Sequence, residues 1–227
     1  MNIAVLDHGY VKYIDHMGSD VSVVNAARAS FRKESKEWTA SDEKLLHFLA
    51  REKHTSPFRH ATLSLELKAP LMTCRQLWKY AVSSRQVEDQ GGWNEASQRY
   101  ITMGMDFYQP TAWRLAPDNL KQGSAGNAAA DVSVAQHLKL ATHIDRSLAL
   151  YQAALADGIA PEQARLFLPA NALYATWRWT MSLHTALHVI DERTASDAQM
   201  ETREYGSAIK AIVADLFPHS LKAWNAS

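Results

Sequence analysis

Two stretches of strict alternation constrain this chain most. Between Ala61 and Lys68, Leu63, Leu65 and Leu67 alternate with Thr62, Ser64, Glu66 and Lys68. Between Leu173 and Leu183, Ala175, Trp177, Trp179 and Met181 fall on one side, and Tyr174, Thr176, Arg178 and Thr180 on the other. A period of two sends successive side chains to opposite faces of a pleated strand, so each stretch predicts a strand with one face buried. Something apolar must cover that face. The remaining sequence supplies it as helices.

Two short runs, Ile3-Ala4-Val5-Leu6 and Tyr10-Val11-Lys12-Tyr13, flank Asp7-His8-Gly9 and predict a strand, a turn and a second strand. Asp20 opens an alanine-rich helix through Arg28, and a helix after Ser41 carries Leu45, Leu46, Phe48 and Leu49 on its apolar face. Pro70 stands where the first turn of a helix tolerates proline, which predicts a helix from Leu71 to Val82. Gly91-Gly92 break the chain before Trp93, and residues 116–131 read as an exposed, mobile loop. Val134, Leu138, Ala141, Ile144, Leu148, Tyr151 and Leu155 recur at three and four, the stripe of a long amphipathic helix ending at Gly158. A short helix lies between Pro161 and Pro169, one helix carries Leu187 and Ile190, and a last one carries Tyr205, Ile209, Ile212, Val213 and Leu216 up to Pro218. With no internal repeat and no linker, the expectation is one α+β domain over residues 1–227, a small, mostly antiparallel sheet packed by helices.

Charge and cysteine usage narrow the function. Formal net charge is zero, so no global field draws the chain to nucleic acid or an anionic membrane. Between Arg51 and Arg99, however, eight Lys/Arg stand against five Asp/Glu, an excess suited to a few phosphates. A single cysteine, Cys74, excludes an intrachain disulfide and an all-cysteine metal site and agrees with a reducing cytoplasm. The first residues lack the pattern of a signal peptide, and no apolar run approaches the ~20 residues that span a bilayer.

Chemistry concentrates in three places: Arg75-Gln76-Leu77-Trp78-Lys79-Tyr80 with the later Trp93-Asn94-Glu95-Ala96-Ser97-Gln98-Arg99-Tyr100; Ala164 to Pro169; and the segment from Trp179 to Glu201 with His184, His188, Arg193 and Gln199. Guanidinium matches phosphate and carbonyl oxygens, so Arg99, Arg165 and Arg193 are candidate ligand contacts; surface charges or structural ion pairs are the other reading. His184 and His188 lie four apart on one helix face, yet Thr185 occupies the position where a catalytic zinc helix needs Glu, and no metal is expected. Cys74 reads as a small buried hydrophobe rather than a nucleophile. There is no glycine-rich phosphate loop, so any dinucleotide would be held without a dinucleotide-binding crevice.

In order and spacing these segments resemble the flavin-dependent thymidylate synthase family known as ThyX. The likeness runs from Leu6-Asp7-His8-Gly9, Ala26 to Phe31 and His54 to Phe58 through Lys68-Ala69-Pro70, Asn94 to Tyr100 and Asn119 to Ser124 to Ala164–Pro169 and Arg193–Gln199. It implies reductive methylation of dUMP to dTMP using 5,10-methylenetetrahydrofolate and NADPH-reduced FAD, in a cytoplasmic homotetramer with FAD and active sites at the subunit interfaces. By the same likeness Gln76, Glu95, Ala96, Ser97, Gln98, Arg99, Arg165 and Arg193 hold dUMP. Ser97 and Arg99 bracket its phosphate, while Arg193, brought from a neighbouring chain, polarises the uracil; Ser97 and Arg193 are the implied catalytic pair. Ser30, Ser56, Lys79, Tyr80, Val82, Asn94, Glu95 and His188 are the implied FAD contacts. The family uses no cysteine nucleophile.

Lys79-Tyr80-Ala81 stand where the family signature begins Arg-His-Arg, and about eight residues, 85–92, are inserted before Trp93. Arg59 replaces a common Glu, and Ser182 a common Asn. Lysine keeps one charge without the planar fork, and Ala81 keeps nothing. The insert would supply replacement flavin contacts through Arg85 and Gln86, or form a solvated loop. Two other functions stay open: a flavin- and folate-dependent dUMP hydroxymethylase, and a catalytically silent nucleotide-binding protein.

Overall fold

The computed structural model describes residues 1–82, 92–96, 104–118 and 123–227. It opens with β1 (Asn2–Val5) and β2 (Gly9–Met17), joined by the predicted turn. Gly9 is required there. A Cβ on it would meet the Tyr205 hydroxyl at 2.0 Å and the Lys68 and Val5 carbonyl oxygens at 2.7 Å. Helices α1 (Asp20–Arg28) and α2 (Ala40–Arg51) follow, the latter capped by Thr39, which also donates its N–H to Asp42 at 2.8 Å. On α2, Leu46, Leu49 and Ala50 are buried while Phe48 is exposed, so the apolar face is rotated from the predicted one.

Strand β3 (Thr62–Pro70) leads directly into α3 (Leu71–Val82), and β4 (Gly92–Glu95) comes next among the described elements. Then follow α4 (Ala130–Ala156), α5 (Pro161–Ala164), a single turn at Arg165–Phe167, β5 (Tyr174–Ser182), α6 (Leu183–Thr194), α7 (Met200–Leu216) and α8 (Pro218–Asn225). The sheet order is β1-β2-β3-β5-β4, antiparallel at every pairing. The fold is α+β, as expected.

The alternation of the two long strands has its predicted consequence. Leu63, Leu65, Leu67, Trp177, Trp179 and Met181 are all buried, in one core with Leu187 and Ile190 of α6 and Tyr205, Ile209, Ile212 and Val213 of α7. A second cluster joins Phe107, Ile144, Tyr151, Ala164, Leu168 and Leu173. The stripe on α4 is only half used. Ile144 and Tyr151 are buried, whereas Val134 is 60% and Leu138 61% exposed. Residues 116–118 and 123–129 precede α4, with Arg114 bridged to Asn127, and residues 119–122 of the expected loop lie outside the described set.

Strand β4 and helix α8 were not anticipated. Gly92-Trp93-Asn94-Glu95 has no alternation to announce it; it pairs with Trp177–Thr180 of β5. Trp93 fixes it in place. Its ring stacks on Trp177 at 4.8 Å between centroids and meets Trp78 of α3 edge-on at 4.9 Å. Pro218, read as a stop, is instead the first residue of α8, where a missing N–H costs nothing. The free amides of His219 and Ser220 donate to Asp20 at 3.0 and 2.8 Å. Among the described residues no helix is long and apolar enough to cross a membrane.

Candidate active site

Helices α3, α6 and α7 converge on one concave region. Gln76 and Tyr80 lie four apart and therefore share a face of α3. Arg193 occupies the last turn of α6, and Gln199 precedes α7, whose first turn holds Glu201. Together with Arg114, Gly123 and Ser124, the side chains of Gln76, Arg193 and Gln199 line a cavity of about 400 Å³, within the ~300–1,000 Å³ of small-molecule sites. A second, more apolar hollow of about 350 Å³ shares Arg114, Ser124 and Gln199 and extends to Met72, Trp113 and Leu140.

A chain of polar contacts forms the cavity wall. Arg114 Nη2 donates to both carboxylate oxygens of Glu201, at 2.7 and 2.8 Å, and Tyr108 Oη donates to Oε1 at 3.1 Å. Glu201 is 3% exposed. Burial alone would raise its pKa, but the hydrogen bonds from Arg114 and Gln199 outweigh that and hold it below the usual carboxylate value. Gln199 Nε2 donates to Glu201 Oε2 at 3.0 Å, and Gln76 Nε2 donates to Gln199 Oε1 at 2.5 Å. Arg193 Nη1 reaches Gln76 Oε1 at only 3.5 Å. Its guanidinium carbon lies 5.2 Å from the centroid of Tyr80, whose ring meets His188 edge-on at 5.4 Å. Burial raises the Tyr80 phenol pKa, with Arg193 opposing. Arg193 Nε is buried without a hydrogen-bond partner among the described residues.

The matching family model, described as "Thymidylate synthase complementing protein", covers residues 12–219. The chain belongs to this family. Within the thymidylate synthase complementing protein family, a flavin-dependent thymidylate synthase of Thermus thermophilus is 35% identical over 218 residues, covering 96% of this chain and 76% of the relative. One of Thermotoga neapolitana is 32% identical over 224 residues, covering 99% and 94%. Among solved structures, the UMP/dUMP methylase PolB from Streptomyces cacaoi bound with 5-Br dUMP aligns at TM-score 0.82 and 30% identity, over 99% of this chain and 97% of PolB. PolB bound with 5-Br UMP aligns at 0.81 and 29%, over 100% and 97%.

Of the residues to which the family resemblance points, Gln76, Tyr80, His188 and Arg193 come together here. Within this chain Arg193 borders Gln76, and the two share one wall of the cavity. Ser97, Gln98 and Arg99 lie outside the described residues, as do Arg85 and Gln86 of the insert. Arg165 is exposed, donating to the Glu162 carbonyl at 3.2 Å, and its charge acts on Glu95. Desolvation by neighbouring groups raises the Glu95 pKa, and Arg165 opposes the rise. Asn94, Glu95 and Ala96 are exposed at the sheet-edge strand and just beyond it. Ser30 and Ser56 are exposed in single turns, Lys79 is exposed on α3, and Val82 ends that helix; none of the four is among the cavity's described lining. The two histidines that suggested zinc spacing face different neighbours, His188 toward Tyr80 and His184 toward Trp224 at 5.5 Å. Arg114 had no signal in the sequence, and Glu201 closed a noted segment without an assigned role; the two are 87 residues apart. Gln199 and the Gly123-Ser124 pair stood in noted segments without an assigned role.

Proposed function

We propose that the chain methylates dUMP to dTMP, taking the one-carbon unit from 5,10-methylenetetrahydrofolate and electrons from NADPH through FAD, as a homotetramer. The observation that carries the reading is the cavity at Gln76 and Arg193. It offers a guanidinium that reaches the Gln76 amide oxygen at 3.5 Å in the cavity wall. A guanidinium there would polarise a uracil carbonyl and draw electron density from the ring. Ser97 and Arg99 would hold the phosphate, with Glu95, Ala96, Gln98 and Arg165 completing the nucleotide contacts.

Exposed donors suit a flavin nucleotide: hydroxyls at Ser30 and Ser56, an amide at Asn94 of β4 and an ammonium at Lys79 of α3. Tyr80 does not suit it in the same way. It is 8% exposed, enclosed by Arg193 and His188, and is better placed to position Arg193 than to stack on a flavin ring. When bound, FAD supplies the two-electron carrier between NADPH and the one-carbon unit. Cys74 takes no part. Burial, with Glu95 adding to it, pushes its thiol up to about 12.

A second reading, UMP as substrate, rests on the likeness to PolB, whose structures hold 5-Br UMP and 5-Br dUMP. A visible absorption spectrum of the purified protein, followed by titration with dUMP and UMP, tests the proposal. Flavin bands that are perturbed by dUMP at lower concentration than by UMP are expected. A colourless protein that takes up no added FAD contradicts the flavin reading.

A further inference from the structure

We infer that Glu201, held by Arg114, acts through Gln199 as a positioning residue that orients the Gln76 amide and thereby selects uracil over cytosine. The inference rests on the proposal that this cavity receives a uracil nucleotide.

The argument is one of hydrogen-bond polarity. An ionised carboxylate can only accept, whereas a glutamine side chain donates from one end and accepts at the other. Both oxygens of Glu201 are engaged by Arg114, and the group is buried and ionised. Gln199 must therefore turn its amino end to Glu201, as it does at 3.0 Å. Its oxygen is left to face Gln76, which must present its own amino end, at 2.5 Å. The Gln76 oxygen then has one direction remaining, toward Arg193 and the cavity. Reversing either amide would oppose two acceptors or two donors in a partly buried wall, an arrangement that forfeits the bond and leaves desolvated groups unpaired.

The cavity consequently presents an acceptor, Gln76 Oε1, beside a donor, Arg193 Nη1. Uracil offers the complement: its N3–H donates and the adjacent carbonyl oxygens accept. Cytosine offers the reverse at the same positions, since N3 accepts and the exocyclic amine donates. Against the Gln76 oxygen, cytosine N3 would set acceptor against acceptor. Sites that hydrogen-bond a ligand discriminate strongly against analogues that leave buried polar groups unpaired. A single buried charge thus fixes the sense of two amides and, through them, the base that fits.

Calorimetric titration of the full chain, as purified, with dUMP and with dCMP tests this. The variants are Glu201→Gln and Gln199→Met. The second leaves the Arg114–Glu201 pair intact, so it carries the test if the first fails to fold. Wild type is expected to favour dUMP over dCMP by about a hundredfold or more, and Gln199→Met to narrow that ratio by at least about tenfold. An unchanged ratio in a Gln199→Met protein that still binds dUMP overturns the relay and leaves the uracil-nucleotide reading standing. A wild-type protein that binds neither nucleotide overturns that reading, and the relay with it.

Discussion

Arg193 is placed by what lies behind it as much as by its neighbours in the cavity. Gly206 of α7 faces the backbone of Arg193, and a Cβ there would lie 3.0 Å from the Arg193 carbonyl carbon and 3.1 Å from its oxygen and Cβ. In an open helix Gly→Ala gains about 0.5–1 kcal/mol. Here the contact is with helix backbone that cannot swing aside, and overpacking of this kind costs about 1–3 kcal/mol. Gly206→Ala should therefore lower stability and weaken dUMP binding together, measured by denaturant titration and calorimetry; wild-type affinity for dUMP would show that this spacing does not set Arg193. Cys74 makes the opposite case. It is 4% exposed with its thiol pushed up to about 12, so thiol reagents at neutral pH should modify it only after denaturation, and Cys74→Ala should keep most activity. Modification of the native protein with loss of activity would reopen a thiol mechanism. The sequence named Gln76 and Arg193 because their segments are distinctive text. It gave Glu201 and Arg114 no role because a buried ion pair between distant residues leaves no local pattern.

Elements whose reason lies in their own residues were legible, and those whose reason lies elsewhere were not. The alternation of Leu63, Leu65 and Leu67 declares β3 without help from the rest of the chain. By contrast β4 is a strand because β5 offers it an edge and Trp177 a ring to stack on. Helix α8 begins where Asp20, nearly the whole chain away in sequence, receives its first amides and the Ser220 hydroxyl. A third long-range device ties α1 to α2: Arg28 pairs with fully buried Asp42, which also accepts from Ser35 Oγ at 2.8 Å and Thr39 Oγ1 at 2.6 Å. Burial pushes the Asp42 pKa up, but the bonds from Thr39, Ser35 and Arg28 together bring it below the usual 3.8. A carboxyl with a depressed folded value contributes stability that is present above the unfolded value and is lost as pH falls through the folded one. Asp42→Asn should cost about 3 kcal/mol or more at neutral pH, where it leaves Arg28 without its counter-charge. In denaturation curves the gap from wild type should close as pH drops below about 4. A gap that stays constant from neutral pH into acid would mean that the Asp42 charge contributes nothing.

At the scale of the molecule, the half-used stripe of α4 fits the proposed assembly. Val132, Val134 and Leu138 are exposed, as are Leu166 and Phe167 beyond α5, and apolar surface of this kind is what neighbouring subunits bury. The periodicity from Val134 to Leu155 was real. Only part of it belongs to the core of one chain. The catalytic claim stands apart from the assembly and is open to a single direct measurement. The purified protein, supplied with FAD, NADPH, 5,10-methylenetetrahydrofolate and dUMP, is incubated and the nucleotide is weighed by mass spectrometry. The account predicts dTMP, heavier than dUMP by one CH2 group, formed by the flavin-loaded protein only when NADPH, 5,10-methylenetetrahydrofolate and dUMP are all present. Unaltered dUMP from a flavin-loaded protein, or a product heavier by CH2O as hydroxymethylation would give, contradicts it.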